Sequence, residues 1–167
     1  MSLLREHKPQ IQKMTLAHLN DVLEIEKQLF TDPWSRRSFQ FEILAKQYSL
    51  PLVLLLDKKI VGYSVVWIIF GEFHIANIAI HPDHQHKGLG SYLLNEVLHK
   101  AFGLEYAILE VRENNLNAIR LYEKFGFERI SVRRHYYSDG GDAIIMRKWF
   151  NPIYSASGSG TKHKSRT

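Results

Sequence analysis

The run Gln85-His86-Lys87-Gly88-Leu89-Gly90 combines residue types and a spacing suited to holding an anion. It follows the apolar stretch His74-Ile75-Ala76-Asn77-Ile78-Ala79-Ile80 and opens an amphipathic stretch over 89–102, a pattern that predicts strand, glycine turn and helix. At such a junction the first N–H groups of the helix lack intrahelical partners and carry the positive end of its dipole. Gly88 and Gly90 let a guest approach the backbone closely, and Lys87 adds a mobile positive charge, so a phosphate or pyrophosphate suits the turn. The pattern Q-x-x-G-x-G matches neither a Walker loop nor the dinucleotide fingerprint. A tight turn with no ligand is the alternative that this stretch alone leaves open.

Two further residues could move protons. Tyr106 to Arg112 reads as a strand whose alternation puts Ala107, Leu109 and Val111 on one face and Ile108, Glu110 and Arg112 on the other. A carboxylate at Glu110, in mid-strand, is either a general base or a residue on a wet face that pairs with a neighbour such as Arg112. Tyr122 lies on the stripe Ala118, Leu121, Tyr122, Phe125 of a helix that starts at Asn114-Asn115 and stops at Gly126, where a tyrosine is usually a core residue whose hydroxyl found a partner. His81, His84 and His86 form H-x-x-H-x-H, but Pro82 bends the backbone between them and no fourth ligand is identifiable, so no metal is expected.

The surrounding elements follow from periodicity. A short strand at 11–14 leads to a helix capped by Thr15 and running through Phe30, with Leu16, Leu19, Val22 and Leu23 as its apolar stripe. Asp32-Pro33 interrupts it, and Ser35 caps a second helix to about Gln47. Pro33-Trp34 is then either a packed corner or one wall of a groove. Residues 52–80, cut at 57–59 and 70–72, give three strands in a meander. After the glycine turn, Leu89, Leu93, Val97 and Ala101, with Tyr92 and Phe102 beside them, form the sheet-packing face of a crossover helix, so the strand at 106–112 should run parallel to the one before it. Strands at 127–137 and 143–149 close the chain, joined by the turn residues Ser138-Asp139-Gly140-Gly141-Asp142.

Composition bounds the rest. The chain has 167 residues, enough for one domain over 1–150 without metal or disulfide help. Cysteine is absent, and no run has the length of a membrane span or the form of a signal peptide, so the expectation is a soluble cytoplasmic protein with no membrane partner. The net charge is +5, of which Lys162, Lys164 and Arg166 supply +3 and residues 1–161 only +2. Much of the basic character (pI 9.4) thus sits in a Ser/Gly-rich tail at 151–167 whose low apolar content predicts flexibility. No direct nucleic-acid binding is expected, because the aromatic residues are not interleaved with Lys and Arg.

In order, the pieces Asn77-Ile78-Ala79-Ile80-His81-Pro82, Gln85-x-x-Gly88-x-Gly90, Leu109-Glu110-Val111-Arg112 and Asn117-Ala118-Ile119-x-Leu121-Tyr122-Glu123-x-x-Gly126-Phe127 resemble the GNAT N-acetyltransferases over about residues 10–150. Pro33-Trp34-Ser35, Leu-Glu-Val-Arg at 109–112, and Arg134-His135-Tyr136-Tyr137 with Asp142-Ala143-Ile144-Ile145-Met146 are most similar to the RimI subfamily, bacterial enzymes that acetylate the N-terminal alanine of a small-subunit ribosomal protein. The resemblance implies an α/β fold with a mixed, mostly antiparallel sheet of about seven strands and helices on both faces. It implies acetyl-CoA as cosubstrate, its pyrophosphate on backbone N–H groups of His86, Lys87, Gly88, Leu89, Gly90 and Ser91, its pantetheine along Ile78, Ala79 and Ile80, and a further contact at Asn115. Glu110 becomes general base and Tyr122 general acid, with an oxyanion stabilised by backbone N–H near Ile80. Trp34, Tyr136 and Tyr137 become contacts for the acceptor, a protein N-terminus and most specifically that of a ribosomal protein.

Two departures from the subfamily, a short 138–142 loop and the basic tail, bear on acceptor choice and not on acetyl transfer. Acetylation of a lysine or a small-molecule amine, a non-catalytic acyl-CoA-binding module, and a nucleic-acid binder using the tail are the competing functions. Glu110 and Tyr122 together argue against the second of these.

Overall fold

A computed structural model of the chain describes residues 8–150, and the tail at 151–167 lies outside the described residues. The strands are β1 (Gln10–Lys13), β2 (Ser49–Leu56), β3 (Lys59–Ile69), β4 (Glu72–Ile80), β5 (Tyr106–Arg112), β6 (Glu128–Arg133) and β7 (Ala143–Trp149), and the helices are α1 (Leu19–Leu29), α2 (Arg36–Leu44), α3 (Leu89–His99) and α4 (Leu116–Lys124). They build one seven-stranded sheet in the order β1-β2-β3-β4-β5-β7-β6. Every pair is antiparallel except β4–β5, the pair joined by the α3 crossover.

The sheet divides the core in two. Leu93, Leu94 and Val97 of α3 and Ile119 and Tyr122 of α4 pack against Phe73, Ile75, Leu109, Val111 and Met146 on one face. On the other, Leu19, Val22 and Ile25 of α1 and Phe39 of α2 pack against Val53, Tyr63, Val65 and Ala79. Because α1 and α2 cover the sheet only as far as β4, the same face of β5, β7 and β6 is left open and carries Glu110 and Arg133. Pro51 sits inside β2, yet its carbonyl accepts from Met14 N–H just past the end of β1, so its missing donor falls where the neighbouring strand has stopped.

Several boundaries differ from expectation. Residues 16–18 form a 3-10 turn and leave Leu16 55% exposed, so the α1 stripe begins at Leu19 and ends on the buried Glu26. Ser35 does cap α2, its Oγ accepting from Ser38 N–H at 3.1 Å, but that helix ends at Leu44 and not near Gln47. α3 stops at His99, which turns Phe102 out to 98% exposure, away from the packed face. β6 ends at Arg133 and does not reach Tyr137, because His135 adopts a positive φ of 52° and its N–H is taken by the Asp142 carboxylate at 2.9 Å. The last connection is therefore a loop over 134–142 and not a tight turn at 138–142.

Glu26 ties these layers together. Buried to 1% exposure, its carboxylate accepts from Trp34 N–H in the α1–α2 bend at 2.8 Å, from Asn77 Nδ2 on β4 at 3.0 Å, and from the Tyr63 hydroxyl on β3. Truncation to Glu26→Ala leaves two buried donors and a part-buried one without an acceptor and should destabilise the fold by about 3 kcal/mol or more. Urea unfolding checks this, and a loss under about 1 kcal/mol would show that the three donors find other partners.

Candidate active site

β4 and β5 pair only from Glu72–Tyr106 to Ile75–Leu109. At the next position on β4, Ala76 is an extra residue: Val66 of β3 pairs with Ile75 and Val65 with Asn77. This bulge flips the side-chain alternation. Phe73 and Ile75 face the α3/α4 core, but beyond the bulge it is Ile78 and Ile80 that do so, while Asn77 joins His74 on the opposite face. With no β5 partner for residues 76–80, the strands leave a cleft of about 760 Å³ between them. Its lining includes Ile78, Ala79 and Ile80 of β4, Glu110 of β5, Asn115 and Tyr122 at α4, and Trp34, Tyr136 and Tyr137 from the two loops.

One end of the cleft is the glycine turn. Gly88 caps α3 in the left-handed region at φ 82°, and a Cβ there would meet no atom within 4 Å, so the backbone conformation and not space calls for glycine. His86, at φ 59°, Gly88, Gly90 and Ser91 line the cleft. Lys87 and Leu89 do not. The Lys87 ammonium donates to Asp83 O at 3.0 Å, and the Leu89 side chain turns into the core, leaving only its backbone for a guest. Gln85 Nε2 donates to Ile80 O at 3.1 Å and holds the turn to the end of β4. Asn115 caps α4, its Oδ1 accepting from Ala118 N–H at 3.2 Å. His81 accepts from Asp83 N–H at 3.1 Å, and among the described residues no cluster of three or more His, Asp or Glu is placed to hold a metal.

The other end carries the titratable groups. Glu110 pairs not with Arg112 but with His74, whose Nε2 lies 2.6 Å from Oε2, and Arg133 Nη1 lies 3.7 Å from Oε1. Burial pushes the Glu110 carboxyl up, but the His74 hydrogen bond and charge, with Arg133, outweigh it and hold the group below the usual carboxylate range. Arg112 is engaged elsewhere, in a two-pronged bond to Asp139 with both contacts at 2.8 Å. Tyr122 comes from the opposite face of the sheet. Burial pushes its phenol well above the ordinary tyrosine value. Glu110 and Tyr122 both line one cleft because it opens through the sheet.

Trp34 is both packed corner and wall, stacked on Trp67 at 6.3 Å and lining the cleft. Tyr136 is 48% exposed, and Tyr137 is half-buried beneath the Arg112 guanidinium, 3.9 Å from its ring centroid. His74, Arg133 and Asp32 escaped the sequence reading. The first two needed the β4–β5 and β5–β7–β6 register, and the third a contact across 106 residues.

The sequence model of the Acetyltransferase (GNAT) family matches residues 19–127. The chain belongs to the GNAT acetyltransferase family. A Bacillus subtilis relative is 37% identical over 142 residues, 83% of this chain and 94% of that protein. The Escherichia coli K12 protein named ribosomal protein bS18-alanine N-acetyltransferase is 34% identical over 141 residues, 81% of this chain and 94% of that protein. The crystal structure of the ribosomal-protein-S18-alanine N-acetyltransferase from Escherichia coli superposes with a TM-score of 0.78 at 29% identity, covering 96% of this chain and 100% of the other.

This GNAT chain is thus an acetyl-CoA-dependent N-acetyltransferase with the seven-stranded, mostly antiparallel fold expected of it. Its cleft fits the cosubstrate. Residues 76–80 offer a strand edge with no partner on the β5 side, and the turn at 86–91 offers backbone N–H groups at a helix N-terminus. The ion pairing at Glu110 makes a testable statement. Because its pKa is depressed in the folded protein, the stabilisation it contributes is present at neutral pH and is lost as pH falls through that lowered value. His74→Ala removes the two largest lowering effects and leaves burial, so the Glu110 carboxyl should titrate at higher pH. Side-chain ¹³C NMR checks this, and an unmoved titration would mean that Arg133 and the backbone hydrogen bond set it without His74.

Proposed function

We propose that the enzyme acetylates the α-amine of a protein N-terminus, specifically the N-terminal alanine of ribosomal protein bS18, the acceptor in the names of its Escherichia coli and Salmonella typhimurium relatives. A ribosomal acceptor would place the reaction in the cytoplasm. The observation that supports the reading is that Glu110 and Tyr122, from opposite faces of the sheet, line the same cleft as the glycine turn and the Tyr136–Tyr137 wall. Acetyl-CoA, when bound, supplies an acetyl thioester. The pyrophosphate then sits on backbone N–H groups at 86–91, the pantetheine runs along Ile78, Ala79 and Ile80, and Asn115 flanks it.

Glu110 accepts the proton that the acceptor amine must lose. An α-ammonium has a pKa of about 7.7–8.0, against about 10.4 for lysine, so a carboxylate held below its usual range is far better matched to the former. With one oxygen on His74 and the other near Arg133, Glu110 receives that proton most readily through a bridging water. Tyr122 acts at the leaving sulfur. A thiol has a pKa of about 8.5 and the phenol lies well above 10, so complete proton transfer to the sulfur runs uphill. Tyr122 therefore works chiefly as a hydrogen-bond donor to charge developing there. Trp34, Tyr136 and Tyr137 bound the approach of the acceptor.

Steady-state kinetics with a peptide copy of the acceptor terminus should show Glu110→Gln and Tyr122→Phe lowering kcat by about 10²–10⁴-fold, with acetyl-CoA affinity little changed. Wild-type turnover in both variants would return these residues to structural roles. In the same assay an Ala-starting peptide should outrun both its N-terminally blocked counterpart bearing one internal lysine and a linear polyamine. Faster acetylation of either would overturn the acceptor assignment.

A further inference from the structure

The acceptor end of the cleft has two walls that are remote in sequence. One is the bend between α1 and α2, with Phe30, Asp32 and Trp34, and the other is the β6–β7 loop, with Tyr136 and Tyr137. The loop is well anchored on its own side. Arg112 of β5 grips Asp139, and the buried Asp142 accepts from His135 N–H at 2.9 Å and from Arg134 Nη1 at 2.7 Å. Asp32 does something different. It reaches from the bend to the loop, one oxygen accepting from Ser138 N–H at 3.0 Å and the other from the Ser138 hydroxyl. Among the described residues no other hydrogen bond or ion pair joins the two walls.

Both ends of this link are exposed, so water competes with it and its contribution to global stability is small. Its effect is local, because two bonds to a single residue hold the walls at one separation. The Ser138 hydroxyl and N–H keep the Asp32 carboxyl below its usual range, so the link stays made at neutral pH.

We propose that the Asp32–Ser138 bond is a specificity-determining clasp: it closes the acceptor mouth across the two walls, so that an amine reaches Glu110 only at the end of a single extended chain. The inference rests on the acceptor side assigned under Proposed function. A protein terminus brings one arm of polypeptide to the mouth. An internal lysine brings two arms that diverge at its Cα, and the clasp lies where they would spread. A slender polyamine brings none, so the clasp does not sort it.

The test measures kcat/KM for three acceptors: an Ala-starting peptide, its blocked counterpart with one internal lysine, and a linear polyamine. Relative to wild type, the ratio of internal lysine to terminus should rise about threefold in Ser138→Ala, which removes one bond, and about tenfold in Asp32→Ala, which removes both. The ratio of polyamine to terminus and the KM for acetyl-CoA should stay at their wild-type values. If both lysine ratios remain within about twofold of wild type, the clasp does not select and the inference falls. Should Asp32→Ala fail to fold, Ser138→Ala decides alone. The readout is a change relative to wild type, so it stands even if wild type prefers another acceptor, an outcome that would overturn only the proposed function.

Because the chain has no cysteine, an Asp32→Cys/Ser138→Cys pair joined by a short dithiol-bridging reagent closes the clasp covalently without side reactions. The bridged enzyme should keep terminal acetylation with wild-type selection. Loss of terminal acetylation with acetyl-CoA binding intact would overturn the inference, since the acceptor would then need the clasp open.

Discussion

A single extra residue, Ala76, shapes the cleft between the two central strands. Two neighbouring parallel strands would ordinarily zip along their length, and here β4 and β5 stop pairing at Ile75 and Leu109. The bulge leaves a stretch of β4 whose edge has no strand partner, a costly arrangement in a protein interior unless something else supplies the hydrogen bonds. A pantetheine arm with its amides is chemically suited to do so. The same bulge reverses the alternation, placing Ile78 and Ile80 on the helical core while delivering Asn77 to Glu26. Cleft, unpaired strand edge and buried anchor thus share one cause.

The parted strands also explain how two groups of opposite electrostatic character share one cavity. Glu110 stands on the open face of the sheet, where no helix covers β5, and is held ionised by His74 and Arg133. Tyr122 stands in the apolar layer between α4 and the sheet, where burial keeps its phenol protonated. Had the sheet been continuous, a wall of backbone would separate them. In the roles we propose for them, the two faces of one sheet would give a proton acceptor and a hydrogen-bond donor separate environments.

The side of the cleft that we propose takes the acceptor is built on a different principle. Its walls are loops from the two ends of the fold, and charged hydrogen bonds help to tie them down: Arg112 with Asp139, Arg134 with the buried Asp142, and Asp32 with Ser138. Such bonds are individually weak at an exposed surface, but they fix geometry. Loops fastened in this way can change their sequence while the glycine-turn end of the cleft stays as it is.

The sequence by itself determined the element order, the parallel crossover through α3, the glycine turn and the two proton-bearing candidates, because each rests on local periodicity or local backbone chemistry that travels with the chain. Tertiary structure alone decided the rest. The bulge at Ala76 is invisible in an unbroken apolar strand. Glu110 took His74 and Arg133 in place of Arg112, because a mid-strand side chain meets residues on adjacent strands before its own next-but-one neighbour. Lys87 turned to a carbonyl, and β6 ended early because Asp142 captured the His135 amide. Asp32 and Ser138 found each other across 106 residues. Partners chosen across space are set by register and by loop closure, and neither leaves a mark in spacing along the chain.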